Sequence, residues 1–278
     1  MQELTLPAID GRPLAARAFA PPGPPIGAVL VANAMGVPQA FYAPLAAWLA
    51  ARGYLALTFD YRGTGASRTG SLRDEPIDVV GWARLDATAA LRELQDRAPG
   101  VPLSWLGHSL GGQIVPFVPD HVELAKLVTI ATGSGYWRES SPPLRRKAWV
   151  FWFVAAPLAT PLCGYFPGRR LGMVGDLPRN VLAQWKRWCM DPDYAAGAEP
   201  GARELFGRVR CPVVSISFTD DEMMSARNTE SLHAAYPHVT LRRFAPADLG
   251  VPRVGHFGFF KQPALWDALL ARDFPAMC

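Results

Sequence analysis

The pentapeptide Gly107-His108-Ser109-Leu110-Gly111 places a serine between two glycines, directly after an apolar segment. This G-x-S-x-G spacing between a strand and a helix is typical of a sharp turn that exposes a serine hydroxyl for acyl chemistry. The glycines relieve clashes around a strained serine backbone. A glycine-rich turn without chemistry is the alternative, but the strand-to-helix context favours a nucleophile.

A serine hydroxyl needs a base to remove its proton and an acid to orient that base. The chain has 5 histidines, and His256 is the favoured base because it follows the last predicted strand, in the loop expected to approach Ser109. The others are His108, expected to pack beside the strand, His121, in the loop after the turn, and His233 and His238, expected at the surface.

The orienting acid should lie between the serine and the histidine in the chain, at the end of a strand. Asp220 is the first choice, three residues after Ser217, and the adjacent Asp221 is the reserve. Asp248 is a third and more distant candidate. The alternative is that the aspartate pair only caps a helix that starts near Ser225.

Two backbone N–H groups are needed to stabilise the oxyanion of a tetrahedral intermediate. Leu110, directly after the serine, supplies one, and Met35, in the loop of residues 33–36 after an apolar strand, is predicted to supply the other. For that loop a simple glycine turn is the alternative.

Short apolar runs alternate with longer amphipathic ones, which is the pattern of a mostly parallel sheet covered by helices. An opening hairpin around Asp10-Gly11 is followed by six further runs, so eight strands are expected. The strand candidates after the hairpin are residues 27–33, 54–61, 101–106, 126–132, 212–218 and 239–245, with helices predicted over 40–53, 76–98 and 225–236.

Residues 133–202 break this alternation with many aromatic, proline and arginine residues. Because so long a loop rarely lacks structure of its own, we interpret it as an inserted, largely helical cap. The core is then residues 1–132 and 203–278.

These motifs resemble the α/β-hydrolase superfamily, in the branch of the serine aminopeptidases and monoglyceride lipases. The shared pieces are FDYRGTGAS, GHSLGG, TDD and GHFGF, and the chain is most similar to a bacterial group of predicted α/β-hydrolases with no assigned substrate. The resemblance implies an α/β-hydrolase fold with Ser109 as nucleophile, Asp220 as acid, His256 as base, and Met35 and Leu110 as oxyanion donors. The sequence departs from the family's His-Gly pair, with Asn33-Ala34, and from its glycine before the acid, with Ser217.

The expected function is a serine hydrolase that cleaves an ester or related acyl bond through an acyl-enzyme, with no cofactor or metal. An acyltransferase with the same triad and a binding protein without activity are the alternatives. The substrate is expected to be a small, mostly hydrophobic acyl compound, contacted by Trp137, Trp152 and Phe257. Packing inside the cap is the alternative explanation for the cap's aromatic residues, and it is the favoured one.

The net charge of +4 comes from scattered arginines, so nucleic acid is not an expected partner. Basic clusters at residues 145–147 and 169–170 could meet an acidic head group or an anionic membrane surface, although a solvated face is favoured. The apolar run 148–162 is shorter than the roughly 20 residues of a membrane span.

Cys163, Cys189, Cys211 and Cys278 lack metal-site spacing, and with no secretory signal in view they indicate reduced thiols in the cytoplasm. The oligomeric state is not indicated.

Overall fold

The computed structural model describes residues 1–276, in which eight strands form one sheet. The strands are β1 (Gln2–Pro7), β2 (Pro13–Phe19), β3 (Gly27–Ala32), β4 (Tyr54–Phe59), β5 (Leu103–His108), β6 (Lys126–Ile130), β7 (Val213–Phe218) and β8 (Val239–Phe244). Their order in the sheet is β1-β2-β4-β3-β5-β6-β7-β8; β1 and β2 pair antiparallel, β2 joins β4 antiparallel, and every later pair is parallel. The predicted opening hairpin and all six later strands are present.

The sheet has a hydrophobic core on each face. Along β3, Leu30 belongs to one core, while Val29 and Val31 belong to the other, as the two-residue period of a strand requires. Strands β3, β4, β5 and β7 are buried along their whole length, which explains why their sequences are apolar runs without alternation.

Helices cover both faces of the sheet. They are α1 (Ala43–Ala51), α2 (Val79–Gly81), α3 (Thr88–Arg97), α4 (Leu110–Gln113), α5 (Pro142–Val150), α6 (Ala156–Cys163), α7 (Arg179–Met190), α8 (Tyr194–Ala198), α9 (Ala202–Gly207), α10 (Ala226–His233) and α11 (Ala264–Leu270). Short 3-10 turns occupy Gln39–Tyr42, Gly65–Ser67, Leu72–Asp74, Val115–Phe117, Pro119–Glu123, Trp137–Glu139, Pro246–Leu249 and Gly258–Lys261. The helix predicted over residues 76–98 is α2 and α3 joined by a π-helical segment, Trp82–Ala87.

Between β6 and β7 the chain forms α5 to α9 and no strand within the described residues. A second π-helical segment, Phe151–Ala155, joins α5 to α6 into one continuous helical stretch. We call the helices α5 to α8, with the loops between them, the insertion; the helical content expected for this region is present, and the division into core and cap stays an interpretation.

Across residues 1–276, none of the helices has the length and apolar character needed to traverse a bilayer. The thiols of Cys163, Cys189 and Cys211 are free, and Cys189 and Cys211 are buried. Burial raises the pKa of Cys211 to about 11, so its thiol stays protonated at neutral pH. Cys278 lies outside the described residues.

Candidate active site

The carboxyl ends of four parallel strands meet at one edge of the sheet. Pairing of Ala32 with Gly107, and of His108 with Ile130, aligns the ends of β3, β5 and β6, and pairing of Ile130 with Ile216 adds β7. The loops that carry the predicted site residues all leave from this edge. This is where parallel α/β sheets place their ligand sites.

Ser109 occupies the sharp turn that the sequence predicts between β5 and α4. Its backbone has φ 50° and ψ −114°, a conformation that costs free energy in a residue with a side chain. Three hydrogen bonds hold it: Ser109 N–H donates to Ile130 O (3.1 Å), and its carbonyl accepts from Gly112 N–H (3.0 Å) and Thr132 Oγ1 (3.2 Å). The turn is therefore imposed by its surroundings.

The flanking glycines are required by close backbone approach. A Cβ on Gly107 would lie 2.5 Å from the Gly111 carbonyl, and one on Gly111 would lie 2.2 Å from Ala32 O. Contacts this short exclude any side chain, so the interpretation of this motif as a constrained turn is confirmed. Helix α4 spans only four residues, Leu110–Gln113, so few aligned peptide dipoles act on the serine.

His256 is paired with Asp221 and not with Asp220. The His256 Nδ1 atom lies 3.0 Å from Asp221 Oδ2 and 3.1 Å from Oδ1, and both side chains are buried. The prediction that Asp220 orients the histidine is therefore wrong by one residue, and Asp221, the reserve candidate, forms this contact. A carboxylate can only accept, so Nδ1 carries a proton, and in the neutral imidazole Nε2 is then the nitrogen with the free lone pair.

The one-residue shift follows from the turn that begins directly after β7. Thr219 N–H still donates to Phe244 O (3.0 Å), but Thr219 and Asp220 are the middle residues of a turn in which Asp221 N–H donates to Phe218 O (3.4 Å). Asp220 contacts the histidine loop at a different residue: its Oδ2 accepts a hydrogen bond from Val254 N–H (2.8 Å). Asp221 is fixed by the turn itself, since its Oδ1 accepts from Met223 and Met224 N–H at 2.8 Å each.

Three successive acidic residues thus hold one loop. Asp220 binds the backbone at Val254, Asp221 binds the imidazole, and Glu222 Oε2 accepts from His256 N–H (3.2 Å). The capping alternative is not needed for α10, which Ser225 caps through its own capping box. Asp248 does not reach the histidine either and accepts from Ala245 N–H within its own turn.

The two predicted oxyanion donors follow neighbouring strands at equal distance. Met35 comes three residues after Ala32 and Leu110 three after Gly107, and Ala32 and Gly107 are register partners. Within residues 1–276, neither Met35 N–H nor Leu110 N–H donates to a protein acceptor. Asn33, at the family's histidine position, supports this loop by donating from Nδ2 to Phe59 O (2.8 Å) and Val37 O (3.2 Å).

A hydrogen-bonded chain that the sequence did not suggest connects the three loops of the site. Ala34 N–H donates to Tyr42 Oη (2.9 Å), Tyr42 Oη lies 2.8 Å from His108 Nδ1, and His108 Nε2 lies 3.0 Å from the His256 carbonyl. His108 was expected only to pack beside its strand. It instead joins the loop of Met35 to the loop of His256, directly beside Ser109.

The direction of this chain follows from its acceptors. Because the His256 carbonyl can only accept, His108 Nε2 donates, and Nδ1 then accepts the Tyr42 O–H. Burial, reinforced by nearby His256, holds the pKa of His108 well below its usual range, so it stays neutral as this arrangement needs. Burial also raises the pKa of Tyr42, which keeps its hydroxyl proton available for donation.

Ser109 Oγ and His256 Nε2 are the two atoms that the predicted reaction would use. Within the described part of the chain neither forms a hydrogen bond, and neither belongs to the solvent-inaccessible polar atoms that lack a partner. A base with a free lone pair and a hydroxyl held out on a strained turn at the same sheet edge can carry out nucleophilic acyl chemistry.

The aromatic candidates for substrate contact occupy three different settings. Phe257 is half-buried beside the site, 4.9 Å from His256 and 5.5 Å from His108 between ring centroids. Trp137 is half-buried in the turn Trp137–Glu139, which precedes α5. Trp152 is buried against Trp185 (4.8 Å), so its ring area is used for packing and little remains for a ligand.

His233, expected at the surface, is buried. Its Nε2 lies 2.9 Å from Thr129 Oγ1, and its Nδ1 lies 2.7 Å from Thr229 O. The prediction was wrong because His233 lies on the inner face of α10, which packs on the sheet beside β6. His238, by contrast, is exposed as expected.

The sheet order, the strained serine turn and the histidine loop after the last strand define an α/β hydrolase. Residues 23–162 match the family model described as serine aminopeptidase, S33, and the chain belongs to this family. The match includes Ser109 and ends before Asp221 and His256. No protein of curated function is detectably similar in sequence.

Solved structures with the same fold are distant in sequence. They include a hydrolase from Pseudomonas aeruginosa (19% identity, 99% of each chain covered, TM-score 0.61). A carboxyl esterase from Bacillus coagulans is similar over 88% of this chain and 89% of its own (15% identity, TM-score 0.61). A soluble variant of monoglyceride lipase from Saccharomyces cerevisiae is similar over 88% of this chain and 86% of its own (18% identity, TM-score 0.60).

Proposed function

We propose that this hydrolase is a serine esterase that cleaves an ester or related acyl bond of a small, mostly hydrophobic substrate. The observation that carries the proposal is that the strained turn of Ser109 and the loop of His256, whose Nδ1 is held by Asp221, lie at the same sheet edge. Esterase and lipase relatives of the same fold support the bond type. A cytoplasmic location remains our prediction.

The reaction begins when Ser109 Oγ attacks the acyl carbon while His256 Nε2 takes the hydroxyl proton. The N–H groups of Met35 and Leu110 donate to the oxyanion that forms. Collapse of the intermediate breaks the bond to the leaving group, which takes the proton from His256. Water then attacks the acyl-enzyme with His256 again as base, releasing the acid and restoring Ser109.

The test is turnover of a panel of p-nitrophenyl esters of increasing acyl length by the wild type and Ser109→Ala. We expect kcat/KM of the variant to fall by about 10⁴-fold or more, because removal of the nucleophile of a triad leaves only oxyanion and binding effects. Ser215→Ala is the matched control, since Ser215 is buried on β7 and its hydroxyl has no partner among residues 1–276.

Full activity of a folded Ser109→Ala variant would overturn the proposal. Product analysis with an added alcohol or amine separates water from other acceptors: dominant acyl transfer to the alcohol would identify an acyltransferase with the same triad. Wild-type protein inactive on every ester of the panel, and unreactive towards thioester and amide analogues, would favour a binding protein.

A further inference from the structure

The continuous helical stretch from Pro142 to Cys163, formed by α5, the π-helical segment and α6, has an exposed apolar side. Its exposed residues recur every four positions, so they lie on one side of the helix. One row is Trp149, Phe153, Pro157 and Pro161, and the other is Val150, Val154, Leu158 and Leu162. We call these eight residues the apolar face.

The opposite side of the same stretch is also apolar, and it is the side that packs on the protein. Trp152 and Ala156 are buried there, with Trp152 against Trp185 of α7. A helix at a protein surface normally carries polar residues on its outer side. Leu158 is instead 63% exposed and Leu162 83% exposed, and all eight residues of the apolar face are exposed to solvent in the described chain.

The charge around the apolar face has one sign. Residues 140–175 contain no acidic residue, and their basic residues are Arg145, Arg146, Lys147, Arg169 and Arg170. Within residues 1–276 none of these five forms an ion pair with a carboxylate. The acidic residues that bound this segment, Glu139 and Asp176, are paired with Arg227 and Arg68.

Further cations lie directly beside the aromatic part of the apolar face. Lys186 Nζ is 5.5 Å from the Phe153 ring, and Arg138 is 5.4 Å from the Trp137 ring, which itself contacts Phe153. Lys186 and Arg179 also line a groove of about 410 Å³ between α6 and α7, whose other wall includes Pro157. Aromatic and aliphatic groups are thus bordered by positive charge.

We propose that the apolar face docks on the surface of an anionic lipid bilayer, with α5 and α6 lying in the plane of the interface. Tryptophan, phenylalanine and leucine on one side of a helix, bordered by arginine and lysine, are the features of helices that bind membranes in this way. The basic residues would meet the lipid headgroups while the apolar residues enter the acyl boundary. The stretch lies on the bilayer and does not cross it.

A second copy of the chain is a less favourable occupant. A two-fold symmetric contact through the apolar face would bring the same patch of each copy together, and with it two sets of unpaired basic residues. Like charges brought together disfavour that contact, whereas an anionic surface neutralises them.

The test is binding of the full chain to sedimenting vesicles, measured as the lipid concentration for half-binding at low salt. We expect binding to vesicles that contain phosphatidylglycerol and much weaker binding to vesicles of phosphatidylcholine alone. Charge reversal of Arg145, Arg146 and Lys147 to glutamate should weaken binding by at least about 100-fold, since each basic residue near such a surface contributes roughly 5-fold.

The apolar part is tested with Leu158→Glu, whose matched control is Val122→Glu. Val122, in the turn Pro119–Glu123, has the same exposure of 63% but lies outside the insertion. Leu158→Glu should weaken vesicle binding by about 10-fold or more, because a leucine side chain no longer leaves water on docking. Val122→Glu should leave it unchanged.

Each of the following results would overturn the proposal: no binding of the wild type to phosphatidylglycerol vesicles, equal binding to both lipids, or equal losses in Leu158→Glu and Val122→Glu. So would a concentration-dependent dimer, seen by analytical ultracentrifugation, that Leu158→Glu abolishes in a chain without vesicle affinity. Ester turnover in detergent-free buffer is followed in parallel, so a docking defect and a catalytic defect are told apart.

Discussion

At the carboxyl edge of the sheet, polar groups around Ser109 and His256 are held by partners inside the protein, whereas the residues of the apolar face of the insertion are exposed to solvent. The first region uses buried hydrogen bonds to maintain a strained backbone and a fixed imidazole. The second leaves large apolar side chains in water, at a cost that only a partner outside the chain can offset. Substitutions should therefore affect catalysis in one region and association in the other.

The largest expected effect within this comparison is at the acid. Asp221→Asn should lower kcat on a p-nitrophenyl ester by about 10⁴-fold, because the amide favours the wrong imidazole tautomer. Asp220→Asn is the matched control: its side-chain oxygen can still accept from Val254 N–H, so a loss below about 10-fold is expected. A larger loss in Asp220→Asn than in Asp221→Asn, both folded, would contradict the assignment made from the structure.

The next largest effect is the contribution of His233 to the pH dependence of the free energy of unfolding. Burial lowers the pKa of His233 to about 4, against 6.5 for the free side chain, so between these values the unfolded chain binds more protons than the folded one. Stability should therefore fall as pH falls through this window, by roughly 2 kcal/mol from pH 7.5 to pH 5 for this one group.

Urea unfolding of wild type and His233→Gln at pH 7.5 and pH 5 measures that change. The variant should show a smaller loss of stability between the two pH values, while His238→Gln, at an exposed histidine, should behave as the wild type does. An identical pH dependence in wild type and His233→Gln would show that burial of this imidazole does not control the slope.

A smaller effect is expected at the chain that links the three site loops. Tyr42→Phe removes the hydroxyl that Ala34 and His108 share, so we expect kcat to fall by about 10-fold with little change in KM, as the oxyanion loop and the base loop lose alignment. Tyr61→Phe is the matched control, because Tyr61 is equally buried and its hydroxyl has no partner among residues 1–276. Equal kinetics in both variants would show that the hydrogen bonds of Tyr42 do not align the two loops for catalysis.

The smallest effect should be on stability at the apolar face. Leu158→Ala is expected to change the free energy of unfolding by no more than about 0.5 kcal/mol, since an exposed side chain leaves no cavity. Leu106→Ala, at a fully buried position under the site, should cost about 2 to 5 kcal/mol. A comparable cost at Leu158 would mean that the insertion buries this residue in solution.

The strands of the sheet and the serine turn were predictable because each leaves a pattern in the local sequence. Buried parallel strands are apolar runs, and the glycines at 107 and 111 are required by contacts within a few residues or with the adjacent strand. His256 followed from chain order. The choice between Asp220 and Asp221 did not, because it depends on the conformation of the turn at residues 218–221 and on where the distant histidine loop meets that turn, and neither leaves a pattern in the local sequence.

Long-range contacts also explain what the sequence did not indicate. Tyr42 and His108 are 66 residues apart, and nothing in either segment suggests their hydrogen bond. The inner position of His233 depends on how α10 packs. For the aromatic residues of the insertion, the sequence left packing and ligand contact as alternatives. In the structure these residues differ: Trp152 is packed in the interior, while Trp149 and Phe153 are exposed.

Reaction of the full chain with a fluorophosphonate probe shows whether Ser109 is the nucleophile. We expect one adduct per chain by intact mass, located on the Ser109 peptide, absent in Ser109→Ala and slowed in Asp221→Asn. An adduct on another residue, or a folded wild-type chain that turns over esters yet takes up no probe, would contradict this assignment.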